Sequence, residues 1–255
     1  MSEFYPSILQ SINSTKNMKK VIIIGATSGL GRELAKHYIE AGDIVGITGR
    51  RENLLKEIQE INPSSVCIKQ MDVTKHEAQE QLYSLIKEMK GMDVFIYCAG
   101  TGYVNKELDM QKEMETMEVN VYGFTQLINI AYNYFAEKGK GHIVGIASVA
   151  GIRTLSICPS YCSTKHYNMM YLKAIRQLAR INKHNIKVTT IMPGFIDTAI
   201  IENRDYPLTT NLDKGGKLIY KAIEKGRKRI FIPSYWGLIS YFMLCIPPFI
   251  WKKII

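Results

Sequence analysis

Seven short apolar runs, separated by segments with helical character, constrain the fold of this chain more than any other feature. The runs are VIII (21–24), IVGIT (44–48), SVCIKQM (65–71), DVFIY (93–97), HIVGIAS (142–148), IKVTTIM (186–192) and RIFI (229–232). Most are apolar throughout instead of alternating, which is typical of strands that a parallel sheet buries on both faces. The order therefore predicts a single-domain α/β protein with a Rossmann-like, doubly wound parallel sheet of about seven strands and helices on both faces.

The chain length of 255 residues suits one domain of this kind with a full core. We expect residues 1–18 to form a lead-in to the first strand, because they lack the basic-then-apolar order of a signal peptide. Residues 19–233 are predicted to form the Rossmann-type domain, and residues 234–255 a hydrophobic C-terminal segment. The ligand of a doubly wound sheet binds at the carboxyl ends of the strands, so functional residues are expected there.

The net charge of +10 favours anionic partners. Phosphate-bearing cofactors, acidic carrier proteins and anionic lipid all fit this charge. No tight run of Lys and Arg with interleaved aromatic residues is present in the sequence, so nucleic acid is not an expected partner. The histidines show no His-x-x-His spacing and the cysteines no Cys-x-x-Cys spacing, so no metal site is expected.

The five cysteines are an odd number without the spacing of a disulfide framework, which indicates a reducing compartment and a cytoplasmic location. Two of them, Cys158 and Cys162, are spaced as one helical turn, and Cys162 adjoins Tyr161. A redox role is one interpretation of this pair. The sequence favours the other interpretation, two small buried thiols without a chemical role.

A glycine-rich loop joins the first predicted strand to the first predicted helix. It reads GATSGLG, and its candidate phosphate-binding residues are Gly25, Thr27, Ser28, Gly29, Leu30 and Gly31. Glycines at such a turn allow positive φ and let the backbone approach a pyrophosphate, whose charge then faces the positive end of the helix. The alternative is a tight turn without a ligand. The position after the first strand of a βαβ alternation favours phosphate binding.

A tyrosine and a lysine four residues apart on a helix can direct a phenol and an ammonium group to the same point. The chain contains this pattern at Tyr83 and Lys87, at Tyr134 and Lys138, and at Tyr161 and Lys165. The spacing alone does not choose among the three pairs.

The loop spacing G-x-x-x-G-x-G resembles that of the short-chain dehydrogenase/reductase family, and the resemblance covers residues 19–233. This family also has a serine thirteen residues before its active tyrosine. Tyr161 has Ser148 at that distance, whereas Tyr83 and Tyr134 have no serine there. The resemblance therefore selects the third pair.

The resemblance implies an oxidoreductase that moves a hydride between a nicotinamide cofactor and a carbonyl or alcohol carbon. The implied catalytic set is Asn120, Ser148, Tyr161 and Lys165. Tyr161 is expected to act as general acid to the substrate oxygen, and Ser148 to hydrogen-bond that oxygen. Asn120 is expected to hold a water molecule that links Lys165 to solvent. Lys165 and the oxidised nicotinamide are expected to favour the phenolate, since lowering a tyrosine pKa from about 10 to about 7 requires about 4 kcal/mol.

The same resemblance implies further cofactor contacts. Asp72 and Val73 look like the residues that contact adenine after the third strand. The segments YCAG (97–100) and PGFIDT (193–198) look like the loop after the fourth strand and the segment that closes over nicotinamide. The predicted contacts there are Cys98, Ala99, Gly100, Pro193, Gly194, Ile196 and Thr198, together with Tyr161 and Lys165. The family usually has an asparagine at Cys98, so hydrogen bonding near the fourth strand is expected to differ.

The end of the second predicted strand bears on the choice between NADP and NAD. In dinucleotide folds an acidic residue there accepts hydrogen bonds from the adenine ribose. Here Gly49 occupies that position and Arg50 follows it. A guanidinium group suits a 2′-phosphate, and no carboxylate is present to repel one. The alternative is that Arg50 stacks on adenine, which fits both cofactors; NADP(H) is favoured over NAD(H).

The last segment, SYWGLISYFMLCIPPFIWKKII (234–255), bears on substrate and partners. Its apolar run is shorter than a membrane span of about 20 residues, and Pro247 and Pro248 interrupt it. It is predicted to cover the substrate cleft, to pack at a subunit interface or to lie in a membrane interface, with Lys252 and Lys253 beyond it. Each alternative suits a hydrophobic, lipid-like carbonyl substrate. Relatives are commonly dimers or tetramers, which implies a homo-oligomer.

Two other functions stay open. A 3-oxoacyl-carrier reductase fits the composition, because a basic surface attracts an acidic carrier. A non-catalytic NADP(H)-binding sensor or scaffold would keep the fold without turnover. The complete set of four implied catalytic residues argues against the sensor, which has no need of an activated phenol.

Overall fold

Isoleucine and valine supply most of the strand side chains, because β-branched residues suit a pleated surface that is buried on both faces. The computed structural model describes residues 18–198 and 206–251. The strands are β1 (Lys20–Ile24), β2 (Ile44–Gly49), β3 (Val66–Gln70), β4 (Val94–Tyr97), β5 (Lys140–Ile146), β6 (Asn185–Pro193) and β7 (Arg229–Ile232). Each strand lies within about two residues of one of the apolar runs, which is the usual uncertainty of an element boundary.

The strands form one sheet in the order β3-β2-β1-β4-β5-β6-β7, and all neighbouring strands are parallel. The chain builds outward from β1 to β3 and then returns to place β4 on the other side of β1. The crevice between the carboxyl ends of β1 and β4 is therefore the topological switch point, where ligands of such sheets bind. The predicted fold class is confirmed.

Helices cover both faces of the sheet. They are α1 (Gly29–Glu40), α2 (Glu52–Gln59), α3 (Ala78–Glu88), α4 (Met110–Met117), α5 (Phe124–Lys138), α6 (Pro159–Ile181), α7 (Leu212–Glu224), α8 (Tyr235–Cys245) and α9 (Pro248–Trp251). Side chains of α3, α5 and α6 join one buried apolar cluster, and those of α1, α2 and α7 join another. Successive residues of β1 alternate between the clusters, with Ile22 and Ile24 in the first and Val21 and Ile23 in the second. The sheet therefore separates two cores.

The helical region predicted from about residue 109 to residue 138 is interrupted. Between α4 and α5, residues Glu118–Gly123 form a π-helical turn that contains Asn120. A Cβ atom at Gly123 would lie 2.7 Å from the backbone oxygen of Val73, so a glycine is needed where this turn approaches the segment after β3. A hydrophobic period of 3.6 does not reveal such a local widening, which often occurs at functional sites.

The tail folds into the two short helices α8 and α9, which Pro247 separates. Across residues 18–198 and 206–251, no helix has the length and apolar character that crossing a membrane requires. The predicted lead-in, apart from Met18, lies outside the described residues, as do residues 252–255 of the tail. The division into lead-in, domain and tail stays a prediction.

Candidate active site

The glycine loop lies at the carboxyl end of β1 and is held by backbone contacts. The amides of Gly25 and Ala26 both donate to the carbonyl oxygen of Thr48, at 3.1 and 2.8 Å. Gly25 has φ of +84°, and a Cβ atom there would lie 2.6 Å from the backbone of Ala99. A Cβ atom at Gly31 would lie 2.1 Å from the carbonyl oxygen of Gly25. The loop is therefore folded so tightly between β2 and the segment after β4 that both positions require glycine.

Helix α1 presents an uncapped N-terminus beside this loop. It begins at Gly29, the preceding Ser28 makes no side-chain capping bond, and its first turn contains no acidic residue. The first amides of a helix carry partial positive charge and have no partner within the helix. An anionic group such as a pyrophosphate fits this arrangement. Thr198 lies next to it, since a Cβ atom on Gly29 would be 3.6 Å from the Thr198 methyl group.

An arginine reaches the loop, and it is Arg51. Its Nη2 atom donates to Oγ1 of Thr27 at 2.9 Å and to Oγ of Ser28 at 3.0 Å. The side chain of Arg50 is exposed, and its carbonyl oxygen accepts a hydrogen bond from Gln70. Arg51 was not among the residues predicted from the sequence, although it directly follows Arg50 at the start of α2. The cation that contacts the hydroxyl groups of the loop is therefore Arg51.

The predicted adenine-contacting residues follow β3, two strands away from β1. One carboxylate oxygen of Asp72 accepts hydrogen bonds from the amide and hydroxyl of Thr74, at 3.0 and 2.9 Å. The carbonyl oxygen of Val73 accepts one from Gln126 at 2.7 Å. These bonds fix the turn after β3 against helix α5.

The segment after β4 runs past the glycine loop towards the catalytic candidates. The amide of Cys98 donates to the carbonyl oxygen of Ile24 at 2.9 Å, which continues the pairing of β4 with β1. Burial raises the pKa of the Cys98 thiol to about 12, although the positive charge of Lys165 acts to lower it. A Cβ atom at Gly100 would lie 3.2 Å from Nζ of Lys165 and 3.4 Å from Oδ1 of Asn120. Gly100 therefore lies directly against two of the four catalytic candidates.

Asn120 is fully buried and ties the π-helical turn to its surroundings. Its Oδ1 accepts from the amide of Thr101 at 3.0 Å, and its Nδ2 donates to the carbonyl oxygen of Thr101 at 2.7 Å and to the hydroxyl of Thr164 at 3.0 Å. In the amide orientation that satisfies its neighbours, Asn168 donates to the carbonyl oxygen of Asn120 at 2.8 Å. The side chain of Asn120 thus positions the segment after β4 against helix α6.

Ser148, Tyr161 and Lys165 meet at the carboxyl ends of β5 and β6. Ser148 follows β5, and its Oγ accepts a hydrogen bond from the amide of Ala150 at 3.1 Å. Nζ of Lys165 donates to the carbonyl oxygen of Ile146 at 3.2 Å and lies 5.6 Å from the centre of the Tyr161 ring. The ammonium group and the phenol ring are therefore neighbours, as the spacing on α6 predicts.

Burial dominates the protonation of these groups. It raises the pKa of Tyr161 to about 12, although a hydrogen bond with the Ser148 side chain acts to lower it. Burial also lowers the pKa of Lys165 to about 8. The sequence led us to expect a depressed tyrosine pKa. The protein alone shifts it the other way, because removing a phenolate from water outweighs the hydrogen bond.

Gly102 packs on the ring of Tyr161, and it is not among the residues predicted from the sequence. A Cβ atom there would lie 2.2 Å from Cδ2 of the Tyr161 ring. Nearby, the hydroxyl of Tyr103 donates to a carboxylate oxygen of Glu115 at 2.7 Å. The position of Gly102, two residues after Gly100, is the sequence signal that could have indicated this contact. The segment after β4 therefore forms one wall of the site.

The segment after β6 is covered by the tail. The amide of Gly194 donates to the carbonyl oxygen of Ile232 at 2.9 Å, and Ile196 pairs with Thr210 as an isolated bridge. A Cβ atom at Gly194 would overlap the indole of Trp236 in α8, at 2.0 Å from its Nε1 atom. The Trp236 ring also contacts Phe195 edge-on, with ring centres 5.4 Å apart. Helix α8 therefore packs directly on the segment expected to close over nicotinamide.

The far end of the tail reaches the loop after β5. The guanidinium group of Arg153 donates to the carbonyl oxygen of Met243 and lies 4.4 Å from the centre of the Trp251 ring. Trp251 Nε1 donates to the carbonyl oxygen of Thr154 at 3.1 Å. The tail thus spans from the end of β6 to the loop after β5, over the edge that carries Ser148. These contacts favour the prediction that it covers the cleft.

The sequence-predicted residues therefore fall into two groups. One group lies together around the switch point, and it includes Gly25, Gly29, Gly31, Ala99, Gly100, Asn120, Ser148, Tyr161, Lys165 and Thr198. The other group, which includes Asp72, Val73 and Arg50, lies at the β2 and β3 side of the same edge. An extended ligand that spans several strands fits this layout better than a compact one.

Comparison with known proteins agrees with this arrangement. Residues 19–207 match the sequence model described as short chain dehydrogenase. A relative from Dictyostelium discoideum, "Dehydrogenase/reductase SDR family protein 7-like", is 28% identical over 211 residues, which are 78% of this chain and 65% of the relative. The chain thus spans less than two thirds of that relative's length.

Two further matches cover more of the compared chains. An "Uncharacterized oxidoreductase" from Myxococcus xanthus is 27% identical over 228 residues, which are 86% of this chain and 88% of the relative. The structure of a short chain dehydrogenase from Burkholderia cenocepacia, in complex with NADP, superposes with a TM-score of 0.76 at 21% identity. It covers 88% of this chain and 92% of that chain. This likeness supports the fold.

Proposed function

The chain belongs to the short-chain dehydrogenase family, and we propose that it transfers a hydride between NADP(H) and a carbonyl or alcohol carbon of a hydrophobic substrate. One observation carries the proposal: the Tyr161 ring is held beside Ser148 and the Lys165 ammonium group, at the same sheet edge as the tightly folded glycine loop. A cofactor bound along the loop would lie next to a proton donor. When bound, NADP(H) supplies or accepts the hydride.

Each catalytic candidate has a distinct part in this proposal. Tyr161, with its pKa raised to about 12, carries its proton at neutral pH and donates it to the oxygen of a carbonyl substrate. Ser148 hydrogen-bonds the same oxygen as negative charge develops on it. Lys165 lies close enough to the ring to stabilise the phenolate that remains. Asn120 holds the segment after β4 in place.

The preference for NADP(H) rests on the end of β2. Gly49 places no carboxylate there, and a Cβ atom on it would lie 2.5 Å from the Thr27 side chain. Arg51 adds a guanidinium group to the hydroxyls of Thr27 and Ser28. A 2′-phosphate suits such a group of donors. The NADP complex of the Burkholderia relative supports the same choice.

The substrate is proposed to be a hydrophobic, lipid-like ketone or aldehyde. The apolar helix α8 lies over the cleft edge, with Trp236 buried against Gly194 and Phe195. A 3-oxoacyl group on an acidic carrier is the second candidate, and the net charge of +10 favours it.

The test is consumption of NADPH, and separately of NADH, with a panel of ketones and aldehydes of increasing chain length. In Tyr161→Phe, which lacks the proton donor, we expect the rate to fall by about 100-fold or more. NADPH affinity should change little, because the phenol hydroxyl is not needed to bind the dinucleotide. Near-normal turnover in this variant would remove Tyr161 from the reaction. NADPH binding without turnover on any carbonyl would favour the sensor.

A further inference from the structure

Two thiols that the proposed chemistry does not use lie against each other beside Tyr161. The Sγ atoms of Cys158 and Cys162 are 3.6 Å apart. Cys158 immediately precedes helix α6, with φ of −145° and ψ of 66°, and Cys162 stands in the first turn. The amide of Leu155 donates to the Cys162 sulfur at 3.4 Å. The loop before α6 therefore wraps around the sulfur pair.

The two thiols have different acidities because they form a donor and acceptor pair. The hydrogen bond from Cys158 lowers the pKa of Cys162, against the opposing effect of burial, and the Leu155 amide acts in the same direction as Cys158. The same sulfur–sulfur hydrogen bond, with burial, raises the pKa of Cys158. The thiolate is the reactive form of cysteine. These directions favour Cys162 as the nucleophile and Cys158 as the thiol that resolves an intermediate formed on it.

A cleft gives small molecules a route to Cys162. It has a volume of about 460 Å³ and borders Cys162, Ser163 and His166 on α6 and residues 151–154 of the loop after β5. The Cys162 side chain is almost fully buried from bulk solvent, whereas Cys158 is partly exposed. An oxidant as small as hydrogen peroxide fits such a cleft.

We propose that Cys158 and Cys162 form a reversible disulfide when hydrogen peroxide reacts at Cys162, and that this cross-link reduces turnover by displacing Tyr161. The Cys162 thiolate attacks one peroxide oxygen, the O–O bond breaks, and the hydroxide that leaves takes up a proton to become water. The Cys158 sulfur then attacks Sγ of the Cys162 sulfenic acid. The S–O bond breaks, and the leaving hydroxide takes the proton of Cys158. The two thiols lose two electrons, which reduce one peroxide to two waters.

Bond formation would move the loop before α6. The sulfurs must approach from 3.6 Å to the disulfide length of about 2.05 Å. Cys162 is held by the helix, so most of the movement falls on Cys158 and the residues before it. The carbonyl oxygen of Ile157 accepts a hydrogen bond from the amide of Asn105 at 2.7 Å. Asn105 belongs to the segment after β4. The same segment contains Gly102, which packs on the Tyr161 ring.

The loss of turnover rests on the role of Tyr161 in the proposed function, whereas disulfide formation does not. The experiment therefore has two readouts. Trypsin cuts after Arg153 and Lys165 and releases TLSICPSYCSTK, which contains Cys158 and Cys162 and none of the other three cysteines. After peroxide treatment of the folded full chain, we expect this peptide to lose two hydrogen atoms and to resist alkylation. Dithiothreitol should restore both thiols.

The second readout is NADPH consumption with the best carbonyl substrate. We expect peroxide to lower the rate at least about tenfold, since a displacement of about 1 Å at a reacting group can reduce rates about 100-fold. Dithiothreitol should restore the rate. Cys158→Ser should keep its untreated activity, and after peroxide its Cys162 should carry a sulfenic acid that dimedone traps. Cys245→Ser, on the exposed face of α8, is the matched control and should respond like the unchanged chain.

Each outcome decides one part of the proposal. A peptide 154–165 that keeps two free thiols under conditions that oxidise Cys245 would refute the disulfide. A disulfide that forms without loss of NADPH consumption would refute the displacement of Tyr161. If Cys158→Ser fails to bind NADPH, Cys158→Ala replaces it, with the same dimedone readout at Cys162. If no carbonyl is reduced at all, the proposed function fails, and the peptide mass still tests the disulfide.

Discussion

The glycine loop and the tail helices lie at the same edge of the sheet, but different contacts hold them. At Gly25 and Gly31, backbone atoms approach so closely that a Cβ atom would lie 2.6 Å or less from another backbone atom. In the tail, one face of α8 is buried through Trp236 and Ser240. The other face exposes large apolar side chains, among them Leu238 at 62% and Phe242 at 59%.

This difference explains why one region is recognisable in the sequence and the other is not. A backbone contact without room for a side chain permits one residue type, so it leaves a fixed motif. A helix that packs through side chains needs only apolar residues of suitable size on one face, and many sequences satisfy that need. The loop therefore identifies the family, whereas the sequence of the tail is free to differ.

Gly31→Ala should have the largest effect of the variants described here, and it tests the contrast between the loop and the tail most directly. Its Cβ atom would lie 2.1 Å from the carbonyl oxygen of Gly25, which belongs to the backbone and cannot rotate away as a side chain can. We expect NADPH to bind at least about 100-fold more weakly, which corresponds to about 3 kcal/mol. Titration of protein fluorescence with NADPH measures the change.

Gly139→Ala is the matched control. Gly139, unlike Gly31, has a positive φ, of +74°, and open space surrounds the position of its Cβ atom. The substitution should lower the free energy of unfolding by about 1 kcal/mol through backbone strain and leave NADPH affinity unchanged. If NADPH affinity is unchanged in Gly31→Ala too, the loop tolerates a side chain at this position. The contrast between the loop and the tail would then be wrong.

Trp236→Ala tests the buried face of the tail. Removing the indole leaves a gap against Gly194 and Phe195, and we expect the free energy of unfolding to fall by about 2 kcal/mol, less than for a tryptophan in a central core. The kcat/KM value for long-chain carbonyls should fall with it. Thermal and denaturant unfolding measure the first effect, and NADPH consumption the second.

Two variants sharpen that experiment. Nε1 of Trp236 is buried without a hydrogen-bond partner within the part of the chain that the structure describes. Trp236→Phe should therefore keep most of the packing and lose much less stability than Trp236→Ala. Leu238→Ala, on the exposed face, should change stability by less than about 0.5 kcal/mol. Equal losses in Trp236→Ala and Leu238→Ala would show that α8 does not pack on the cleft edge as described.

The sequence predicted the sheet and the position of the site because both depend on patterns that repeat along the chain. Uninterrupted apolar runs indicate buried parallel strands, and a glycine cluster after the first of them indicates the ligand edge. The distance from Ser148 to Tyr161 then selected one of three tyrosine–lysine pairs. In the structure Ser148 lies two residues after β5 and Tyr161 lies in the first turn of α6, and the two side chains are neighbours.

Other features depend on contacts that a linear pattern does not contain. The π-helical turn at Asn120 brings Gly123 against the carbonyl oxygen of Val73, which lies 50 residues earlier in the chain. The contact of Gly102 with Tyr161 depends on the path of the segment after β4. The upward shift of the Tyr161 pKa depends on burial. In each case the deciding atom is distant in sequence, and local propensity carries no information about it.

Arg51→Ala should have a smaller effect, and this effect should be confined to cofactor binding. The variant loses a charged donor at the hydroxyls of Thr27 and Ser28, so we expect the Kd of NADPH to rise about tenfold, which is about 1.4 kcal/mol. The Kd of NADH should stay the same, because NADH has no 2′-phosphate. Parallel fluorescence titrations with the two cofactors measure the difference.

Arg50→Ala is the natural partner of this experiment, since Arg50 is the residue that the sequence predicted. Both side chains are exposed, and the hydrogen bonds from Arg51 to Thr27 and Ser28 point to a larger contribution from Arg51. A rise in the NADPH Kd in Arg50→Ala, with none in Arg51→Ala, would reverse the assignment. Equal changes for NADPH and NADH in Arg51→Ala would remove the 2′-phosphate from its role.

Substitutions on the exposed face of α8 are expected to change turnover least. Membrane-surface contact through residues 234–255 stays a prediction, and the outward Leu238 and Phe242 side chains are among those that would enter a lipid interface. The double variant Leu238→Ser and Phe242→Ser should keep kcat with a water-soluble carbonyl within about twofold, because surface changes rarely exceed about 0.5 kcal/mol. It should float with anionic vesicles less than the unchanged chain.

Flotation of the two chains in parallel separates lipid contact from cleft cover. Cys245→Ser is the control, since it alters the same exposed helix without removing a large apolar side chain. If the unchanged chain does not float, the exposed face has no affinity for lipid, and the prediction of membrane contact is wrong. If the double variant floats equally well, the lipid contact lies on other exposed side chains, either apolar ones in the tail such as Phe249 or the basic surface. A loss of turnover in the double variant would instead show that the outward face supports the cleft, and the contrast between the two faces of α8 would then fail.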